Sequence, residues 1–230
     1  MKFDETLLKG KLLKRYKRFF ADVKVNNEIL TAHCPNTGSM KGLLDKNNDV
    51  FLSKSNNPKR KLKYTLEIIK VKNSLVGINT HRANKIILEA LERNLIKEFI
   101  DCEKIIPESV FDPGTRFDFL LNKKNKKIYL EVKNVTLSSD GKIAQFPDAV
   151  TERGNKHLLK LLEAKNKGYE GYILFLIQRE NIKNFTIARD IDANYYSTFI
   201  NVKKKGIKFL AYDCIISSKE IKVNKRIKIL

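Results

Sequence analysis

The stretch Arg116–Val135, RFDFLLNKKNKKIYLEVKNV, decides how this chain folds. Two runs of alternating apolar and polar residues flank a lysine-rich turn, the pattern of a β-hairpin. With the loop centred between Lys124 and Asn125, Phe117 faces Val132, Phe119 faces Leu130 and Leu121 faces Ile128. Burial selects this register, because it gathers all six apolar side chains on one face of the sheet. The same register sets Asp118 opposite Glu131 and Arg116 opposite Lys133. Directly opposed residues have Cβ atoms about 5 Å apart, where like charges repel. Two facing carboxylates favour a cation between them, and Mg2+ is commonly held by one or two carboxylates with phosphate oxygens and water. Lys133 lies two residues beyond Glu131 and points to the same side, where a lysine can orient a water or neutralise charge on a phosphate. A plainer reading leaves Asp118 and Glu131 solvated and paired with Arg116 and Lys133. The spacing D-x12-E-x-K alone does not separate the two.

Outward from the hairpin, the chain reads as two domains, residues 1–80 and 81–230. In the first, FFADVKV and EILTAHC alternate around the turn-prone pair Asn26-Asn27, then PNTGSMKG, VFLSKS and KYTLEIIKVKN follow. Several short strands joined by basic loops predict a small β-barrel. The segment LLKGKLLKRYKRFF also fits a basic amphipathic helix. From Ala83 the period changes: Ile86, Ile87, Ala90, Leu91, Leu95 and Phe99 recur at helical spacing. After the hairpin, TERGNKHLLKLLEAKNKG predicts a second helix stopped at Gly168, and YILFLI a strand covered on both faces. A third helix over about 192–203 ends before Gly206, and IKFLAYDCII is another buried strand. This order describes an α/β sandwich.

The 230 residues hold 46 Lys+Arg against 26 Asp+Glu, a formal charge of +20. Such an excess attracts polyanions, nucleic acid foremost. Codon bias, visible in the shared abundance of Lys, Asn and Ile, is the competing explanation. No apolar run approaches the ~20 residues that span a bilayer. The N-terminus places acids early and lysines within its apolar part, unlike a signal peptide. Cys34, Cys102 and Cys214 are far apart and form no CxxC pair, which argues against a disulfide framework or structural zinc site. The expectation is a reduced, cytoplasmic protein with no membrane partner.

The segments RYKRFFADV (15–23), HCPNTGSM (33–40), FDFLL (117–121), YLEVKNVTL (129–137) and FPDAVTERGNKHL (146–158) resemble the sugar fermentation stimulation protein A family. They lie in order across nearly the whole chain, and the NTG loop and FPDAVTERG stretch are specific. The resemblance implies an N-terminal OB-like β-barrel and a C-terminal α/β restriction-endonuclease-like domain of the PD-(D/E)XK nuclease type, in agreement with the periodicity. It implies a catalytic set of Asp118, Glu131 and Lys133, in which the acids bind Mg2+ (or Mn2+) and the lysine positions the attacking water. An acid on the preceding helix is usual; Glu89 is the best match for a third metal ligand, with Glu92 and Glu98 as alternatives. Phe117 stands where Pro is typical. The family is described mainly as DNA-binding and linked to expression of sugar-fermentation genes. The implied partner is therefore nucleic acid, DNA first, while the intact site implies a metal-dependent nuclease.

Further residues fit nucleic-acid contacts. Arg15 and Arg18 flank Tyr16, giving phosphate contacts beside an aromatic that can stack on a base; a lysine-rich barrel edge that discourages aggregation looks the same. Asn36 and Thr37 begin an NTGS loop whose backbone N–H groups suit an anion, or a turn in which Gly38 supplies a positive φ. On the second helix Arg153, Lys156, His157 and Lys160 form a basic stripe, from which Arg153 and His157 are the candidates; Gln145 and Asp148 would border the cleft. Asn79 and Asn84 are placed to fix the domain junction.

Overall fold

The computed structural model describes residues 1–230. Alternation and turn chemistry in the first eighty residues produce β1 (Leu8–Tyr16), β2 (Phe20–Val25), β3 (Glu28–His33), β4 (Asp49–Lys54), β5 (Tyr64–Val71) and β6 (Ser74–Gly77). The sheet runs β3-β2-β1-β4-β5-β6, and a parallel pairing of β3 with β5 closes five strands into an OB-type barrel. Leu12, Val23, Leu52 and Leu66 fill its core. The helical alternative for the first strand fails because Gly10 and Leu12 point inward while Lys9 and Lys11 point out, a period of two. Gly10 is required by space: a Cβ there would lie 2.5 Å from Val23 Cγ1 and 2.9 Å from the Lys24 carbonyl.

The second domain follows as α1 (Ala83–Glu92), β7 (Lys104–Asp112), β8 (Thr115–Lys123), β9 (Lys126–Val135), β10 (Leu137–Ser138), β11 (Ile143–Phe146), α2 (Glu152–Asn166), β12 (Glu170–Ile177), β13 (Asn184–Ile187), α3 (Ala193–Lys204), β14 (Lys208–Ile216), β15 (Ile221–Arg226) and β16 (Lys228–Ile229). Its main sheet has the order β15-β14-β12-β9-β8-β7, beside a small sheet β10-β11-β13-β16. The apolar run YILFLI lies in β12, parallel to both β9 and β14. One face packs on α1 through Ile86, Ile87, Leu130 and Leu174; the other packs on α2 and α3 through Leu158, Phe175 and Tyr195. Met1 and Leu7 also lie in the α1-side core, and Val76 bridges Arg179, so the two domains interlock. No helix is long and apolar enough to cross a membrane.

The first helix is shorter than its periodicity predicts. It ends at Glu92, Asn94 takes a left-handed φ of 55°, and Leu95 is left exposed while Phe99 is buried from a separate short turn. The hairpin tip keeps the predicted register, Phe119 with Leu130 and Leu121 with Ile128. Nearer the site it departs. Phe117 does not share a face with Phe119; it packs in the other core, with ring centroids 5.7 Å from Phe111 and 4.9 Å from Tyr129. The β8–β9 ladder stops at Phe119, and on the neighbouring strand Glu108 adopts φ 50°. Both irregularities flank Asp118.

Helix α2 starts on Thr151, whose hydroxyl accepts the Gly154 N–H at 3.0 Å. Thr151→Ala is expected to cost about 1 kcal/mol and to lower the melting temperature by ~2–4 °C; an unchanged melting curve would show that the cap contributes nothing.

Candidate active site at the domain junction

Where the hairpin ladder opens, Asp118 replaces a backbone partner. Its Oδ2 accepts the Val132 N–H at 2.7 Å, and its Oδ1 accepts from Asn84 Nδ2, also at 2.7 Å. Leu130 and Val132 face the α1 core, so Glu131 between them points to the opposite face and is buried there. Glu131 Oε1 accepts from Lys133 Nζ at 2.7 Å and is hydrogen-bonded to His157 Nδ1. Glu131 Oε2 is buried with no hydrogen-bond partner. Burial, and then the Glu131 charge, raise Asp118 to about 6. For Glu131 burial acts upward too, yet Lys133 and His157 overcome it and hold the carboxylate below its ordinary value. A cleft of about 1020 Å³ opens over these groups, with Thr80, Asn84, Arg116, Arg153 and Lys156 on its walls.

A buried carboxylate oxygen without a partner, close to a second carboxylate that burial discourages from ionising, is a poor arrangement for stability alone. It fits a hard divalent cation, for which carboxylate oxygens are the preferred donors, with water or phosphate completing the shell.

Of the residues singled out in the sequence, the structure brings Asp118, Glu131, Lys133, Arg153 and His157 to this cleft. Glu89 is not brought there. Its Oε2 lies 2.7 Å from the Met1 amine and its Oε1 3.5 Å from Arg93, whereas the N-terminal turn of α1 faces the site. Glu89 lies five positions beyond Asn84, which is about 7.5 Å along a helix. Glu98 is also engaged elsewhere, by Arg226 and the Tyr212 hydroxyl, both at 2.7 Å. Asn84 is thus the α1 residue that lines the cleft and touches Asp118, a position that its reading as a domain bracket did not reveal.

The barrel candidates divide as well. Arg15 braces a loop: its NH2 donates to the carbonyls of Asn36 at 2.7 Å and Gly38 at 3.1 Å, and its Nε to that of Arg18 at 3.1 Å. Asn36 is buried, and its Oδ1 accepts the Gly38 N–H at 2.9 Å, which removes that N–H from any anion nest. Gly38 does not have a positive φ; a Cβ there would lie 2.1 Å from Asp148 Oδ2, so close approach explains the glycine. Tyr16 stacks on Phe20 at 5.4 Å, with its hydroxyl 3.2 Å from Asp22 Oδ1, and lies apart from the cleft. Arg18 and Thr37 line a separate cavity beside Thr80 and Asn134. The helix stripe splits: Lys160 does not line the cleft and is ion-paired with Asp112 at 2.6 Å and Glu163 at 2.8 Å.

A closed five-stranded OB barrel joined to a restriction-endonuclease-like α/β domain defines the class of this protein. Residues 13–78 match the SfsA N-terminal OB domain, and residues 81–220 match the sugar fermentation stimulation protein RE domain. The chain belongs to the sugar fermentation stimulation protein family. It is 61% identical over 230 residues to a sugar fermentation stimulation protein homolog of Pelagibacter ubique, covering 100% of this chain and 99% of the relative. It is 44% identical over 239 residues to the homolog of Alteromonas mediterranea, with both chains covered completely. The solved structure of Pyrococcus furiosus SfsA in complex with Ca2+ superposes with a TM-score of 0.90 at 22% identity, covering 100% of this chain and 98% of that one.

Proposed function

We propose that this chain binds nucleic acid, DNA first, and hydrolyses its phosphodiester backbone with a divalent cation, Mg2+ or Mn2+, held by Asp118 and Glu131. The observation that carries this reading is the buried, unpartnered Oε2 of Glu131 close to the Asp118 carboxylate. A bound cation supplies charge neutralisation at the phosphate and a more acidic water. The chain's own residues do the rest. Lys133, anchored on Glu131, orients the water or meets developing negative charge, and His157 fixes the Glu131 carboxylate from α2. Arg153 and Lys156 on the cleft wall hold phosphates on either side, and the +20 charge draws the polyanion in. The Pyrococcus relative, solved with Ca2+, supports a divalent ion in this family. The name shared by the relatives, sugar fermentation stimulation protein homolog, supports a role in the use of sugars.

One observation favours a second reading. No α1 carboxylate reaches the site, and of the other acids lining the cleft Glu108 is paired with Arg116 and Asp112 with Lys160, leaving Asp118 and Glu131 as the buried pair, which suits a domain that grips without cutting. Incubating labelled single- and double-stranded DNA and RNA with Mn2+, Mg2+ or a chelator separates the two. Cleavage with metal and none with chelator is the expected result; binding without cleavage under every condition selects the second reading. In both, affinity falls steeply as salt rises, and affinity indifferent to salt removes the nucleic-acid function altogether.

A further inference from the structure

A second cavity, of about 400 Å³, meets the active-site cleft at Thr80 and Asn134, which line both. Its walls come from the barrel's NTG loop and from the FPDAV segment ahead of α2. These two segments touch so closely at Gly38 and Asp148 that no side chain fits between them. The volume falls within the range of small-molecule sites, roughly 300–1,000 Å³.

Its chemistry differs from that of the cleft. Of its lining residues only Arg18 and Asp148 carry formal charge, of opposite sign, and they form no ion pair with each other. The remaining polar groups are neutral amides and hydroxyls, chiefly Thr37, Asn134 and Gln145, set against apolar walls that include Phe146. Asn134 Oδ1 accepts from Gln178 Nε2 at 2.5 Å, which fixes the amide and leaves its NH2 as a donor. The Thr80 hydroxyl donates to the Pro35 carbonyl at 2.8 Å and keeps its lone pairs as acceptors. Such a lining does not select a phosphate, which favours concentrated positive charge. It suits a flat uncharged ring with donors and acceptors on its edge.

We infer that this cavity receives a nucleobase, unstacked from the nucleotide next to the phosphate in the active-site cleft, and that Thr37, Asn134 and Gln145 read its edge. The inference rests on the nucleic-acid reading of that cleft and adds a base subsite to it. Because unpairing costs free energy, a single strand or a frayed end enters more readily than an intact duplex. The domain junction thereby selects both strand form and base, while the barrel contributes one wall.

Two measurements on the full chain test this. The first is saturation-transfer NMR with adenosine, guanosine, cytidine and thymidine, which carry no phosphate and so avoid the general attraction of a +20 protein. One nucleoside is expected to bind above the others, and Thr37→Ala with Gln145→Ala is expected to weaken it by about fivefold per hydrogen bond lost. The second scans 2-aminopurine through a single-stranded oligonucleotide without metal. A single position is expected to brighten on binding, and the double variant to lose that signal while still binding the strand. If the oligonucleotide binds but no nucleoside does and no position brightens, the base subsite is overturned and the function of the cleft stands. If a nucleoside binds in a manner sensitive to the variant and no oligonucleotide does, the subsite stands and the nuclease reading falls. Signals identical in wild type and a folded double variant also overturn the subsite.

Discussion

Lys133→Ala is expected to lower metal-dependent cleavage by ~10²–10³-fold, the usual effect of removing one preorganised electrostatic group at a reacting centre. Nucleic-acid affinity should change far less. Lys133 is only 13% exposed and its ammonium is committed to Glu131 Oε1 at 2.7 Å, deep in the cleft, whereas the phosphate-holding cations Arg153 and Lys156 stand exposed on α2. A lysine that merely held phosphate would weaken binding uniformly and flatten the salt dependence by about one phosphate contact. The measurement is therefore a pair: single-turnover cleavage in Mn2+ and equilibrium binding at several salt concentrations, for wild type and variant. Binding and cleavage falling together would make Lys133 an anchor. Cleavage equal in both proteins would show that the Asp118/Glu131/Lys133 set is not catalytic and would assign any activity to a contaminant. His157 still holds Glu131 in the variant, so the carboxylate keeps one partner and the fold is expected to persist.

Much of this arrangement was legible in the residues because it follows from short-range alternation. The hairpin register at Phe119 and Leu121, the helix of TERGNKHLLKLLEAKNKG and the doubly covered strand of YILFLI are all set by local pattern and burial. What escaped was decided by tertiary contacts. The flip of Phe117 into the second core requires the left-handed Glu108 on a neighbouring strand and the capture of the Val132 N–H by Asp118, neither of which has a periodic signature. That neighbouring strand, KIIPESVFD, carries Pro107 and lies at the sheet edge, where proline is tolerated and alternation is weak. Helical phase could not say which end of α1 approaches the hairpin, so the resemblance pointed to Glu89, Glu92 or Glu98, while Asn84 read only as a bracket at the domain junction. For Arg15 and Asn36, the chemistry that suits phosphate suits backbone carbonyls and N–H groups equally, and in this loop the backbone took them. His157 was visible as part of a basic stripe, but its partner Glu131 became visible only once α2 lay across β9.

Addition of Mn2+ or Mg2+ at pH 8 is expected to raise the melting temperature, and to do so far less at pH 5. At about a hundredfold excess over the dissociation constant, a ligand specific to the folded state stabilises by ~2.7 kcal/mol, which for a chain of this length corresponds to roughly 5–10 °C. The pH dependence follows from Asp118, which burial and then Glu131 raise from an ordinary 3.8 to about 6. A carboxyl raised in the folded state stabilises the metal-free fold when protonated. That contribution is fully present below 3.8 and is lost as the pH climbs through about 6. Glu131 moves the other way, held low by Lys133 and His157 once its burial is overcome, and stays charged through the same window. At pH 5 a cation must therefore displace a proton from Asp118 to bind, whereas at pH 8 it meets two repelling carboxylates and relieves them. The gain on metal addition should rise mainly between pH 5 and 7, and Glu131→Gln should abolish it at every pH. An equal shift at pH 5 and pH 8, or a shift that survives in Glu131→Gln, would place the cation elsewhere on the molecule and leave the buried pair without its proposed ligand.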